Sequence, residues 1–156
     1  MLETNSRLPI LIVEDSDEDF DVLAMTFENF GVTNKRLRAG EGSEVFRVLE
    51  ELSSSGQPLP GLIVLDLNLI GVDGREVLRR LKRDPAYQRI PVAVFSTSSS
   101  PRDVETCYAE GAASYSVKPV SLERLEEFVL ALKNFWLCNT ILPRPSALDR
   151  MKKSEV

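Results

Sequence analysis

Five side chains able to do chemistry stand directly after short apolar runs of the sequence. They comprise three carboxylates, a hydroxyl and an ammonium group. In an open parallel sheet the carboxyl ends of the strands meet at one edge, and ligands bind there. If each apolar run is a strand, these side chains converge on one rim. They are Glu14, Asp15, Asp66, Ser96 and Lys118.

This combination of groups predicts phosphoryl chemistry assisted by a metal ion. Carboxylates that crowd together repel one another and need a cation, and all-oxygen ligation favours Mg²⁺ or Mn²⁺ over zinc. A lysine and a hydroxyl beside that cation make a site for a dianionic phosphoryl group. A carboxylate can attack such a group to form an acyl phosphate. Since the sequence has no GxxxxGK[ST] loop to hold a nucleotide, the group must be delivered from outside.

Composition excludes several classes of function. The 156 residues include no histidine, which rules out Ser-His-Asp and Cys-His catalysis, histidine-bound zinc, and a phosphohistidine of the chain's own. Cys107 and Cys138 fit neither a disulfide framework nor a zinc site, so we expect a reducing cytoplasm. A net charge of −5 argues against nucleic-acid binding. No apolar run is long enough for a membrane span.

Five apolar runs alternate with five amphipathic stretches, which predicts a parallel sheet covered by helices on both faces. Ser16 is predicted to be the N-cap of the first of these helices. The second run, Thr33–Ala39, is the most polar of the five, which is typical of an edge strand. The predicted strands are Pro9–Val13, Thr33–Ala39, Leu62–Leu65, Pro91–Phe95 and Ala113–Val117. The predicted helices are Asp17–Phe30, Glu44–Leu52, Gly74–Lys82, Arg102–Glu110 and Ser121–Trp136.

These residues resemble the receiver domain of two-component response regulators, over about Leu8 to Phe135. The resemblance implies a flavodoxin-like (βα)5 three-layer α/β sandwich with strand order 2-1-3-4-5. Four motifs in the right order carry it: ILIVEDS (Ile10–Ser16), LIVLDLNLIGVDGREVL (Leu62–Leu78), VFS (Val94–Ser96) and GAASYSVKP (Gly111–Pro119).

The resemblance implies a role for each group at the rim. Asp66 becomes the phosphoacceptor and a ligand of Mg²⁺, for which Mn²⁺ can substitute. Asp15 binds the metal directly, Glu14 acts through water, and the backbone carbonyl of Asn68 completes the protein's share of the ligands.

The resemblance also implies the parts of a switch. Lys118 contacts the acyl phosphate, and Ser96 forms a hydrogen bond with a phosphoryl oxygen. Tyr115 matches an aromatic side chain that changes rotamer on activation. The peptide bond before Pro119 is expected to be cis. Thr97 departs from the family pattern, because a small residue usually leaves room there, so it is expected to alter phosphoryl entry or the lifetime of the phosphorylated state.

The phosphoryl donor is expected to be a partner sensor histidine kinase, since this chain has no histidine. We expect a receiver domain over residues 8–136, a partly ordered C-terminal extension over residues 137–156, and no output domain. The readout is then a contact with another protein. The extension, FWLCNTILP at Phe135–Pro143, resembles the stand-alone response regulators paired with bacterial phytochromes, in which it supports a homodimer.

The fifth predicted helix carries two apolar stripes, and a helix that is apolar on two faces is buried on two sides. Phe128, Ala131 and Phe135 form the second stripe. We therefore expect an isologous homodimer through the fourth and fifth predicted helices. The first stripe, which the sheet is expected to cover, consists of Leu122, Leu125, Val129, Leu132 and Trp136.

Two alternatives stay open at this point. A small Mg²⁺-dependent phosphatase with an aspartyl nucleophile would use similar groups, but it needs a second acid where this chain has Asn68, and it needs a cap domain. A degenerate receiver could serve as a binding scaffold, but the intact set of Asp15, Asp66 and Lys118 argues against it.

Overall fold

In the computed structural model, which describes residues 3–144, five strands and six α-helices alternate along the chain. A π-helical segment, Lys133–Asn139, continues the last α-helix. The strands are β1 (Ile10–Val13), β2 (Arg36–Ala39), β3 (Leu62–Leu65), β4 (Val92–Ser96) and β5 (Ser114–Val117). The helices are α1 (Glu3–Ser6), α2 (Asp17–Asn29), α3 (Gly42–Ser54), α4 (Gly74–Arg83), α5 (Pro101–Ala109) and α6 (Leu122–Leu132).

The strands form one parallel sheet in the order β2-β1-β3-β4-β5, so the predicted fold class is confirmed. Val13 at the end of β1 pairs with Leu65 at the end of β3. The residues that follow these two strands are therefore neighbours across the sheet. The polar strand β2 lies at one edge, as its sequence predicted.

Each face of the sheet has its own apolar core, because successive strand residues point to opposite sides. Along β1, Leu11 and Val13 pack into the cluster that contains α3, α4 and α5. Ile10 and Ile12 pack into the cluster that contains α2 and α6. Strands that are buried on both faces need continuous apolar runs, which explains the ILIV and LIVL patterns.

The first helix at the rim begins as predicted. The Ser16 hydroxyl accepts a hydrogen bond from the backbone N–H of Asp19, which satisfies one of the unpaired donors at the start of α2. Three acidic residues occupy the first turn of this helix, where the helix dipole favours negative charge.

The last helix departs from its prediction at two residues. Leu122 is 60% exposed rather than covered by the sheet, because α6 begins at the rim, beyond the last residue of β5. Phe128 does not lie on a free second face: its ring stacks on Phe95 of β4, with centroids 4.3 Å apart. Leu125, Val129, Leu132 and Trp136 do pack with the core, as expected.

The N-terminal residues hold the C-terminal extension against the domain. The buried Asn5 side chain donates hydrogen bonds to the carbonyls of Trp136, Leu137 and Thr140, at 3.2, 3.3 and 2.6 Å. Leu137 and Leu142 are buried in the same core cluster as α2 and α6. Part of the expected tail is therefore packed on the domain. The remainder of that expectation, residues 145–156, lies outside the described residues.

Candidate functional site

Three carboxylates meet where the two central strands end. Glu14 and Asp15 follow β1 and Asp66 follows β3, and one oxygen from each lies within 4.8 Å of the others. Glu14 and Asp66 are buried, with 4% and 6% of their surface exposed. Negative charges held this close and out of water need a compensating positive charge.

Lys118 supplies part of that charge from the end of β5. Its Nζ lies 2.8 Å from Oε2 of Glu14, 3.0 Å from Oδ2 of Asp66 and 3.3 Å from Oδ2 of Asp19. Its backbone N–H donates to the carbonyl of Ser96, which fixes the lysine to the end of β4. Asp19 was not predicted as a site residue, since its position in the first turn of a helix already explains an acid there.

The charge balance of this cluster fits a divalent cation. Burial raises the pKa of Glu14 to about 7, although Lys118 acts in the opposite direction. Burial also works against the charge of Lys118, but hydrogen bonds to Glu14 and Asp66 hold the pKa of this ammonium group above its ordinary value. One ammonium group faces several carboxylates, and oxygen ligands of this kind suit Mg²⁺ or Mn²⁺.

The backbone around Asp66 is closely packed, which fixes the position of its carboxylate. The Asp66 N–H donates to the carbonyl of Val13, and its Oδ1 accepts from the N–H of Asn68 at 3.2 Å. A β-carbon at Gly74 would collide with the backbone of Asp66 and Leu67, so only glycine lets the start of α4 approach so closely. The DLNLIGVDG segment therefore brings α4 against the site.

Two hydroxyl groups and an amide lie where β3 and β4 end. Ser96, fully buried at the end of β4, accepts a hydrogen bond at Oγ from the N–H of Ser98. The Asn68 side chain donates to Oγ1 of Thr97 at 3.3 Å and so links the loops that follow β3 and β4. The structure thus brings together the predicted acids and lysine, with Ser96 at the end of β4 and Asn68 on the loop after β3.

Comparison with known proteins decides the family. The response regulator receiver domain model matches residues 10–130. The chain belongs to this family. Receiver domains are the phosphoacceptor modules of two-component signalling, so this chain is a signalling protein, and the family favours that function over the phosphatase alternative. Within the described residues, no helix has the length and apolar character needed to cross a membrane.

The relatives of this receiver include regulators of similar length. The probable methanogenesis regulatory protein FilR2 of Methanothrix harundinacea is 34% identical, over 94% of each chain. Response regulator Rcp1 of Synechocystis is 34% identical over 90% of this chain and 97% of Rcp1, and its Mn²⁺-bound structure matches with a TM-score of 0.78. The phosphorylated cyanobacterial phytochrome response regulator RcpA matches with a TM-score of 0.81 at 34% identity, covering 88% of this chain and 99% of RcpA.

The loop after β4 in this receiver is tied to two helices and to β5. Tyr115 donates its hydroxyl hydrogen to the carbonyl of Ser98 at 2.8 Å. The Ser98 hydroxyl donates to Asp103 at 2.6 Å, and Arg75 holds the same carboxylate through two nitrogens at 2.9 and 2.7 Å. The Arg75 guanidinium lowers the pKa of Asp103 to about 2. The run Ser96–Ser100 signalled hydroxyl chemistry in the sequence, but nothing there pointed to the Arg75–Asp103 pair.

The prediction of a cis peptide bond before Pro119 is wrong, because the described residues contain no cis peptide bond. The trans form is favoured by about 0.5–1 kcal/mol even before proline. Lys118 reaches its position without a cis turn, since its backbone hydrogen bond to Ser96 and its contacts with Glu14 and Asp66 already direct the side chain.

Proposed function

We propose that Asp66 accepts a phosphoryl group from the phosphohistidine of a partner sensor histidine kinase. The observation that carries the proposal is the buried Asp66 carboxylate, which lies beside Glu14 and Asp15 and 3.0 Å from the Lys118 ammonium group. In the reaction, an Asp66 oxygen forms a bond to phosphorus as the P–N bond of the donor breaks. The imidazole leaves with the bonding electron pair and takes a proton from solvent.

Asp15, Asp66 and the Asn68 carbonyl would hold Mg²⁺ directly, and Glu14 would hold it through water. When bound, the cation offsets the negative charge that the phosphoryl group brings to the carboxylates. Lys118 neutralises Asp66 before the reaction and then moves its hydrogen bond to a phosphoryl oxygen. Both roles need a charged amine, and the raised pKa of Lys118 keeps it charged.

Phosphorylation is proposed to act through the loop after β4. Ser96 would donate its hydroxyl hydrogen to a phosphoryl oxygen, and its movement towards that oxygen would pull on the hydrogen bond that its Oγ accepts from the N–H of Ser98. Since Ser98 also contacts Asp103 and Tyr115, movement of this loop changes the surface formed by α5, β5 and α6. Tyr115 is thus the proposed aromatic switch, and a protein contact on that surface is the proposed readout.

We further propose that the partner kinase is a phytochrome and that the protein acts in the cytoplasm. Support for the kinase class comes from the similarity to Rcp1 and RcpA, of which this chain covers 97% and 99%. Support for the compartment comes from Cys107 and Cys138, which are both free thiols.

The proposed function is tested by incubating the protein with a small acyl phosphate, with and without Mg²⁺, and measuring intact mass and sedimentation together. We expect one phosphoryl group per chain, gained only when Mg²⁺ is present. Steady turnover of a generic phosphomonoester would instead favour the aspartyl phosphatase. No gain in mass with Mg²⁺ would support the scaffold alternative.

Mg²⁺ is expected to raise the melting temperature of the parent protein, because a ligand that binds only the folded state stabilises it. At a concentration a hundred times its dissociation constant the gain is about 2.7 kcal/mol. The Asp15→Ala variant is expected to lose most of this gain in thermal scans. Asp21→Ala removes an exposed acid of α2 and is the matched control, which should respond as the parent does. An Asp15→Ala variant that responds fully would exclude Asp15 as a ligand.

We also propose a homodimer through α5 and α6, the fourth and fifth helices of the sequence prediction. Exposed apolar side chains remain on these helices, on β5 and on the π-helical segment that continues α6: Tyr108, Val117, Leu130 and Phe135 are 50%, 47%, 40% and 58% exposed. Since Phe128 stacks on Phe95, Phe135 becomes the principal anchor. An isologous contact would cover this ring together with its copy.

The Phe135→Asp variant is expected to sediment as a monomer at a micromolar concentration at which the parent is a dimer, since an unpaired charge in a buried contact is costly. Met25→Asp is the control, because Met25 is equally exposed but lies on α2. A parent that stays monomeric with and without phosphorylation would contradict the dimer.

A further inference from the structure

We propose that Arg38 is a positioning residue for the cation site. It would act by fixing the main chain that carries Glu14 and Asp15. The inference rests on the proposed function, in which these acids share a divalent cation with Asp66. Arg38 belongs to the edge strand β2 and precedes no recognisable motif, so nothing in the sequence pattern assigned it a role.

All three nitrogens of the Arg38 guanidinium are engaged at the β1–α2 junction. Nε donates to the carbonyl of Glu14 at 3.1 Å, and one terminal nitrogen donates to the carbonyl of Asp15 at 3.3 Å. The other terminal nitrogen pairs with the Asp17 carboxylate at 2.6 Å. The guanidinium carbon lies 4.9 Å from the centre of the Phe20 ring, in cation–π range.

Strand β2 therefore holds the peptide units of both acids. The N–H of Glu14 donates to the carbonyl of Ala39, while the Glu14 and Asp15 carbonyls receive the guanidinium of Arg38. The side chain of Glu14 is fixed in turn, since its Oε1 accepts from the N–H of Ser16. With the backbone held on both sides, the two carboxylates have few ways to move away from Asp66.

A planar, bidentate donor is required for this task. A lysine carries the same charge but is a point donor, and it cannot span two successive carbonyls as the guanidinium fork does. Loss of a group that orients metal ligands typically weakens metal binding by about 10–100-fold. The charge of Arg38 has the opposite effect, since a positive group beside the site repels a cation. If Arg38 acts by positioning the acids, its loss weakens binding of the cation. If only its charge matters, its loss strengthens that binding.

The test is calorimetric titration of Mg²⁺, and separately Mn²⁺, into the parent and three variants. Arg38→Lys keeps the charge and removes the fork, whereas Arg38→Gln removes both. Arg36→Lys is the matched control: it lies two residues earlier on β2 and donates to the carbonyls of Val32 and Asn34, away from the acids. Urea unfolding without divalent cation gives the stability of each variant.

We expect both Arg38 variants to bind Mg²⁺ about tenfold more weakly or worse, while Arg36→Lys binds as the parent does. Parent-like affinity in Arg38→Lys together with tighter binding in Arg38→Gln would show that only charge matters, and would overturn the proposal. Lower unfolding free energy with unchanged affinity would show a purely structural role and would also overturn it. If the parent itself binds neither cation, the proposed metal site fails, a result distinct from failure of Arg38 alone.

Discussion

The Asp66→Asn variant is expected to fold normally and to gain no phosphoryl group. An amide cannot attack phosphorus as a carboxylate does, but it has nearly the same size. Its single oxygen can accept one of the two hydrogen bonds that the Asp66 carboxylate accepts, either from the Asn68 N–H or from Lys118. Intact mass after incubation with an acyl phosphate and Mg²⁺ provides the measurement. The expected effect is complete loss of the mass gain that the parent shows.

Asp19→Asn is the matched control for this experiment. Asp19 also contacts Lys118, at 3.3 Å, but its side chain is 55% exposed and it lies outside the carboxylate cluster. The Asp19→Asn protein should therefore gain the phosphoryl group on Asp66 as the parent does. If Asp66→Asn still gained the group, the acceptor would be another residue and the proposed mechanism would be wrong.

The Lys118→Met variant is expected to lose about 3 kcal/mol of unfolding free energy when no divalent cation is present. Removing one partner from a buried charge pair costs about 3–5 kcal/mol, because the other charge is left uncompensated. The Lys118 side chain is only 12% exposed and contacts two buried carboxylates, so this rule applies. We expect the lower end of the range, since Glu14, with a pKa of about 7, can take up a proton.

Urea unfolding of Lys118→Met, with and without Mg²⁺, provides the measurement. Mg²⁺ should stabilise this variant more than the parent, because the cation takes over the neutralising role of the lysine. Adding Glu14→Gln to the variant should recover part of the loss, since residue 14 then neither carries an unpaired charge nor has to take up a proton. An unfolding free energy equal to that of the parent would show that Lys118 does not balance the cluster.

The parallel sheet and the position of the acids at its rim follow from patterns within short stretches of sequence, whereas the order of the strands was implied by the family resemblance. The run LIVL must be buried on both faces, so it forms a central parallel strand and Asp66 falls at its carboxyl end. Glu14 and Lys118 follow their strands in the same way. A local pattern is sufficient here because the parallel arrangement itself brings all carboxyl ends to one edge.

The start of α2, the first helix that the sequence predicted, could also be located, because its signals are local. Ser16 and Asp19 lie within one turn of each other, so the N-cap hydrogen bond depends on neighbouring residues alone. The last helix was harder. Leu122 is exposed because of where α6 begins relative to the rim, and Phe128 is covered because the ring of Phe95 stacks on it. The spacing of apolar residues along the helix predicts neither of these contacts.

Contacts between residues far apart in the chain were decided only by the tertiary structure. Arg38 reaches the carbonyls of Glu14 and Asp15 from another strand, and Arg75 reaches Asp103 from another helix. From the sequence alone, each arginine could equally be a solvated surface residue, because a long charged side chain can donate its hydrogen bonds to water as well as to protein. Only the packing of the elements brings an acceptor within reach, and that packing selects which charges support the site.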